Sequence, residues 1–115
     1  MYVGCFLTHC GWNSTIESIA SGVPMVAMPQ WADQPTTAKY VESAWRIGLR
    51  LQLDEKGLLK REEVERCIRE VVEGERKAEF RQNAAKWMKK AKEAMQEGGS
   101  SDKNIAEFAA KYLSI

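Results

Sequence analysis

The stretch THCGWNSTIESIASGVPMVAMPQWADQ, residues 8–34, decides how the chain reads. Ahead of it, Val3-Gly4-Cys5-Phe6-Leu7 is a strand-like apolar run, and His9, Cys10 and Gly11 then form a polar turn loosened by glycine. A strand should hand over to a helix there. Such a turn is a natural seat for phosphate, because the first N–H groups of a helix lack partners within it and carry the positive end of its dipole. A helix expected over residues 14–21 is stopped by Gly22 and Pro24, and residues 23–28 make a second apolar run.

The runs 3–8 and 23–28 are nearly all apolar, as in parallel strands covered on both faces. Ile47, Leu49, Leu51 and Leu53 instead alternate with Gly48, Arg50 and Gln52, which predicts a third strand with one wetter side, as at a sheet edge. Pro35 suits a first helical position, so a helix is expected over 35–45. Strand, helix, strand, helix, strand is a βαβαβ unit: the fold class is α/β, a parallel sheet of about three strands with flanking helices. After Gly57 a helix over 61–72 presents Val64, Ile68, Val71 and Val72. Phe80, Ala84, Trp87, Met88, Ala91 and Met95 mark a longer amphipathic helix. Gly98-Gly99 breaks it, and Ser101 or Asp102 can cap a last helix carrying Ile105, Phe108, Ala109, Tyr112 and Leu113. The chain reads as one domain over 1–115, with the βαβαβ part in 1–53 and the C-terminal helices in 54–115.

Charge supports this division. The first 53 residues carry only Glu17, Asp33, Lys39, Glu42, Arg46 and Arg50, whereas the rest is dense in Lys, Arg and Glu, as for a buried sheet followed by surface helices. A formal net charge of +1 with interspersed signs gives no reason to expect nucleic acid or a membrane as partner. Cys5, Cys10 and Cys67 form no CxxC pair, and His9 is the only histidine, so zinc and disulfide scaffolds are not expected. Asn13-Ser14-Thr15 matches a glycosylation sequon, but the odd cysteine count and the absence of a signal-type segment suit a cytoplasmic protein better.

In open parallel sheets ligands bind outside the carboxyl ends of the strands. His9, Asn13 and Ser14 follow the first strand, and Asp33 and Gln34 the second. A phosphate-bearing ligand is expected to use the N–H groups of Ser14 and Thr15, the side chains of Asn13 and Ser14, and His9 as a donor. Glu17, one turn further on, suits a ribose diol, and Asp33 and Gln34 suit sugar hydroxyls. Duller readings stand beside these. Ser14-x-x-Glu17 is also a capping box, Asn13 is a good cap, and Asp33-Gln34-Pro35 is also a helix start. Trp12 and Trp31 are by default packing residues, and a lone histidine is often structural. Spacing alone leaves both sets of readings open.

The longer string GCFLTHCGWNSTIESIASGVPMVAMPQWADQ, residues 4–34, resembles the plant secondary product glycosyltransferase signature, the donor box of family 1 UDP-sugar-dependent glycosyltransferases. Its HCGWNS core, the spacing to Glu17, GVPMVA and the closing DQ carry the resemblance, and EGGSSDKN at 97–104 extends it to the C-terminal region. The resemblance implies a UDP-sugar-binding set of His9, Gly11, Trp12, Asn13, Ser14, Glu17, Asp33 and Gln34. His9, Asn13 and Ser14 bind the diphosphate, Trp12 contributes at phosphate and sugar, and Glu17 holds the ribose. Asp33 and Gln34 contact the sugar, with Gln34 pointing to glucose. It implies a truncated, Rossmann-like C-terminal domain of a GT-B fold, an inverting transfer from UDP-glucose to a small lipophilic acceptor, and no cofactor or metal. The chain opens at Met1-Tyr2, inside the box, so the WAPQ-type segment for uracil and the N-terminal domain bearing the acceptor pocket and catalytic His–Asp pair are expected to be missing. The isolated chain is then expected to be inactive and marginally stable, with Val3, Cys5 and Leu7 on an open sheet edge that invites a complementary polypeptide. The alternative is a non-catalytic fragment acting as the interaction partner of another polypeptide.

Overall fold

The computed structural model describes residues 3–113; Met1 and Tyr2, where the resemblance implies a donor box cut at its front, lie outside the described residues. The chain runs β1 (Phe6–Thr8), α1 (Trp12–Ser21), β2 (Met25–Ala27), α2 (Gln34–Lys39), a π-helical turn (Tyr40–Ala44), β3 (Gly48–Arg50), α3 (Arg61–Glu73), α4 (Lys77–Met95) and α5 (Ser100–Leu113). The sheet order is β1-β2-β3, all parallel, with Thr8 opposite Ala27 and Ala27 opposite Arg50. This is the expected βαβαβ unit, with strands shorter than the apolar runs that announced them.

The central strand explains the uninterrupted apolar run. Met25, Val26 and Ala27 are all fully buried. Met25 and Ala27 join Cys10, Ala38, Val41, Ile47 and Ala84 in one cluster, while Val26 joins Leu51, Cys67, Val71 and Phe80 in the other. Alternate side chains of one strand thus feed two cores, and α4 reaches both through Phe80 and Ala84. Gly22, at φ 68°, closes α1 with its N–H donated to the Ile19 carbonyl, a left-handed conformation that glycine adopts without cost.

Some helix boundaries differ from expectation. The helix expected over 35–45 begins at Gln34 and widens into the π-helical turn, where the Trp45 N–H donates to the Tyr40 carbonyl at 2.7 Å. Around that turn Tyr40, Trp45 and Trp87 form two tilted ring pairs, with centroids 5.6 and 6.3 Å apart. The long helix starts at Lys77, one turn before Phe80. In α5 the carboxylate of Asp102 accepts from the Gly98 N–H at 2.9 Å, so it closes the preceding turn. α5 buries none of its residues, and Ile105, Phe108, Tyr112 and Leu113 are all exposed. Among the described residues no helix is long and apolar enough to cross a membrane.

The two edges of the sheet are treated differently. Just past β3 the Leu51 N–H donates inward to the Ala27 carbonyl, while the outward N–H of Arg50 meets the Glu42 carboxylate at 2.7 Å and the N–H of Gln52 meets Glu63 at 2.6 Å. Carboxylates therefore occupy donors that would otherwise template another strand. The expected wetter third strand holds, although the alternation stops early: Ile47 and Leu51 are buried, Leu49 is half-buried and Leu53 is exposed. β1 has no strand on its outer side among the described residues, and Val3, Phe6 and Leu7 are 51%, 37% and 42% exposed.

Two outcomes are expected. The Arg66 guanidinium, bonded to Glu63, and the Gln52 N–H hold the Glu63 carboxyl below its ordinary value of 4.5. A carboxyl whose folded pKa is depressed stabilises fully above its unfolded pKa, and that contribution fades as pH falls through the lower folded value. Urea denaturation should show stability dropping as pH falls below 4.5, with a shallower drop for Glu63→Gln. The second outcome concerns β1. Sedimentation velocity should show the isolated chain self-associating, and Leu7→Lys should shift it toward monomer.

Candidate functional site

The turn after β1 is set by the residues that make it. Thr8 is buried, and its Oγ1 accepts the Cys10 N–H at 3.1 Å. Cys10 takes φ 64°, a left-handed conformation costing a non-glycine residue about 1 to 3 kcal/mol, and is held there by a fully buried side chain. Burial pushes its thiol up to about 11, so it is a packing group and not a nucleophile at neutral pH. With Cys10 tucked inward, His9 stays exposed and lies across Gly11. A Cβ on Gly11 would come within 2.5 Å of His9 Nε2, so glycine is what lets the imidazole sit over the start of α1.

Helix α1 begins at Trp12, earlier than expected, and no side chain caps it. This overturns the capping-box reading: Ser14 and Glu17 lie inside the helix, and neither Asn13 nor Ser14 is its cap. The Thr15 N–H, expected to face phosphate, is already donated to the Gly11 carbonyl at 2.9 Å. The free amides of the first turn therefore belong to residues before Thr15. Asn13 and Glu17, four apart and exposed, stand one turn from each other on one face of α1, with half-buried Ser14 beside them. The side chains of His9, Asn13, Ser14 and Glu17 make no hydrogen bond or ion pair among the described residues. This edge is polar and uncommitted.

The second loop arrives at the same edge because β1 and β2 are parallel and in register, with the Met28 N–H donated to the Thr8 carbonyl at 2.7 Å. Here Gln34 has a structural job that spacing did not suggest. It is 9% exposed, and its Oε1 accepts both the Gln30 N–H (2.8 Å) and the Trp31 N–H (3.1 Å). One side-chain oxygen thus fixes two successive amides, and Ala32 completes the turn at φ 60°. The side-chain amide nitrogen of Gln34 has no partner among the described residues and is still available to donate. Asp33 sits at the start of α2 with its carbonyl accepting from Thr37, while its exposed carboxylate caps nothing. The helix-start reading holds for its backbone and fails for its side chain.

Both tryptophans depart from the default expectation. Trp12 is 56% and Trp31 74% exposed, so neither is a core residue. Periodicity could not separate them from Trp45 and Trp87, which do pack against the core. Next to the second loop lies a cleft of about 620 Å³, lined by Pro29, Gln30, Arg50, Gln52, Leu53 and Leu58 among others, which the sequence did not announce because it is assembled from three separate segments.

Comparison with known proteins bears on what such an edge does. The family model for UDP-glucoronosyl and UDP-glucosyl transferase matches residues 2–96. The chain is 73% identical over 109 residues to UDP-glycosyltransferase 79 of Oryza sativa subsp. japonica, covering 95% of this chain and 23% of that protein. It is 68% identical to a UDP-glucosyltransferase of Hordeum vulgare subsp. vulgare, covering 98% and 24% respectively. Among solved structures, Os79 from O. sativa in complex with UDP superposes with a TM-score of 0.93 at 73% identity, covering 96% of this chain and 25% of that one. The UGT2 of Phytolacca americana, complexed with UDP-2fluoro-glucose and pterostilbene, superposes at 0.89 with 36% identity, covering 95% and 25%. These neighbours are GT-B proteins, and the chain spans about a quarter of their length.

Gln34→Ala should leave the Gln30 and Trp31 amides without their acceptor and destabilise the loop by about 1 to 3 kcal/mol. Amide hydrogen exchange should speed up at residues 30 and 31 far more than in β2.

Proposed function

Because the chain belongs to the UDP-glucoronosyl and UDP-glucosyl transferase family, we propose that it is the donor-binding part of an inverting, UDP-glucose-dependent glycosyltransferase that acts on a small lipophilic acceptor. The observation that carries this reading is the uncapped start of α1, with His9 lying over Gly11 and with Asn13, Ser14 and Glu17 unpartnered among the described residues. A helix end stripped of side-chain caps is suited to an anion, and the Os79 relative is solved with UDP.

In this reading the first-turn amides, His9, Asn13 and Ser14 take the diphosphate, Gly11 and Trp12 allow close approach to phosphate and sugar, and Glu17 accepts the ribose hydroxyls. Asp33 and the free amide of Gln34 hold the glucose. The acceptor hydroxyl attacks the anomeric carbon from the side opposite UDP, the bond from that carbon to the phosphate oxygen breaks, and the electron pair leaves with UDP. Negative charge grows on the departing diphosphate, where donors and the α1 dipole already point, so the transition state is favoured over the ground state. The base that removes the acceptor proton belongs to the remaining three-quarters of such a protein. His9 sits at the phosphate end, away from an acceptor hydroxyl, and is not that base. Nothing in the fold or the relatives favours a non-catalytic interaction partner over this reading.

The experiment is a chimera in which this chain replaces the matching segment of Os79, assayed for glucosyl transfer from UDP-glucose to a trichothecene, a ligand with which Os79 is solved. Transfer is expected; a folded chimera without it overturns the reading. Glu17→Ala in that chimera should raise the KM for UDP-glucose by about ten- to a hundredfold, the loss of hydrogen bonds to a charged group.

A further inference from the structure

Trp31 is the most exposed tryptophan of the chain, at 74%, and it sits two residues before Asp33 on the loop that closes the sugar end of the donor edge. It makes no ring contact among the described residues, unlike Trp45 and Trp87, which form a tilted ring pair. Its backbone, by contrast, is fixed. The buried oxygen of Gln34 holds its N–H at 3.1 Å and that of Gln30 at 2.8 Å, its carbonyl accepts the Gln34 N–H at 3.2 Å, and Ala32 behind it is in a left-handed conformation. A large indole held outward on a braced turn forgoes the gain from burial, while little further ordering of its backbone is needed when something covers it.

We propose that Trp31 is a specificity-determining residue that forms an apolar wall for the ring system of the acceptor. This rests on the donor reading of the same loop. If Asp33 and Gln34 hold the glucose, the group lying beyond the sugar, on the side away from the phosphates bound at His9 and α1, is the acceptor. Of the occupants available there, a ringed apolar molecule fits best, because a planar indole offers dispersion and stacking over a wide area and little hydrogen bonding. The sugar's own hydroxyls are matched by the carboxylate and amide next door. Trp31 acts by orienting the acceptor hydroxyl toward the anomeric carbon and takes no part in proton transfer.

The test uses the chimera with Os79, comparing wild type, Trp31→Ala and Trp31→Phe. Trp31→Ala is expected to raise the KM for a ringed acceptor about thirtyfold, as on truncating a well-packed aromatic anchor, with the KM for UDP-glucose within about twofold of wild type. Trp31→Phe should restore most of the loss. Quenching of tryptophan fluorescence when the acceptor is added to the UDP-loaded protein should disappear in Trp31→Phe, a readout independent of turnover. An unchanged acceptor KM, or a rise confined to UDP-glucose, overturns the proposal while transfer itself survives. Absence of transfer in the unsubstituted chimera would instead count against the donor reading on which it rests.

Discussion

Everything in this chain depends on the complete burial of β2. A strand with Met25, Val26 and Ala27 all inaccessible needs a hydrogen-bonding neighbour on each side and a covered surface on each face. β1 and β3 supply the neighbours, in parallel, and the helices supply the faces. Parallel pairing in turn requires crossover helices, so the carboxyl ends of all three strands share one edge. The loops bearing His9 and Asp33 meet there because no other edge is open to them.

The same constraint gives the sheet a direction. The outer donors at the end of β3 are taken by Glu42 and Glu63, carboxylates that arrive from the π-helical turn and from α3. β1 has no such cover among the described residues, and its apolar side chains face solvent. A carboxylate accepting an edge amide stabilises the outermost strand and at the same time deters further pairing, so one interaction serves both stability and specificity.

The candidate edge combines rigid and free groups. Thr8, Cys10 and the oxygen of Gln34 are committed to shaping the two loops, and their burial leaves them no other role. His9, Asn13, Ser14, Glu17 and the Asp33 carboxylate are left without side-chain partners among the described residues. A site of this kind loses little on binding, since its backbone is already held in place before any ligand arrives. Gln34 belongs to both groups, with the oxygen of its amide bracing the loop and the nitrogen without a partner among the described residues.

Much of the fold was legible along the chain. The apolar runs, the Gly22 stop and the helical stripes led to the βαβαβ order, since burial on two faces or on one stripe imposes a period that composition displays. The polar residues after β1 and β2 stood out in the sequence as candidates, but spacing alone left their capping and ligand-binding readings open. Tertiary structure decided what local spacing cannot carry. It started α1 at Trp12 and removed the capping box, spent the Thr15 amide inside the helix, bound the Gln34 oxygen to Gln30 and Trp31, and turned Trp12 and Trp31 outward while Trp45 and Trp87 packed. A side chain has the same covalent chemistry in every environment. Whether its hydrogen bonds go to the backbone, and whether its ring is covered, depends on groups that only folding brings near.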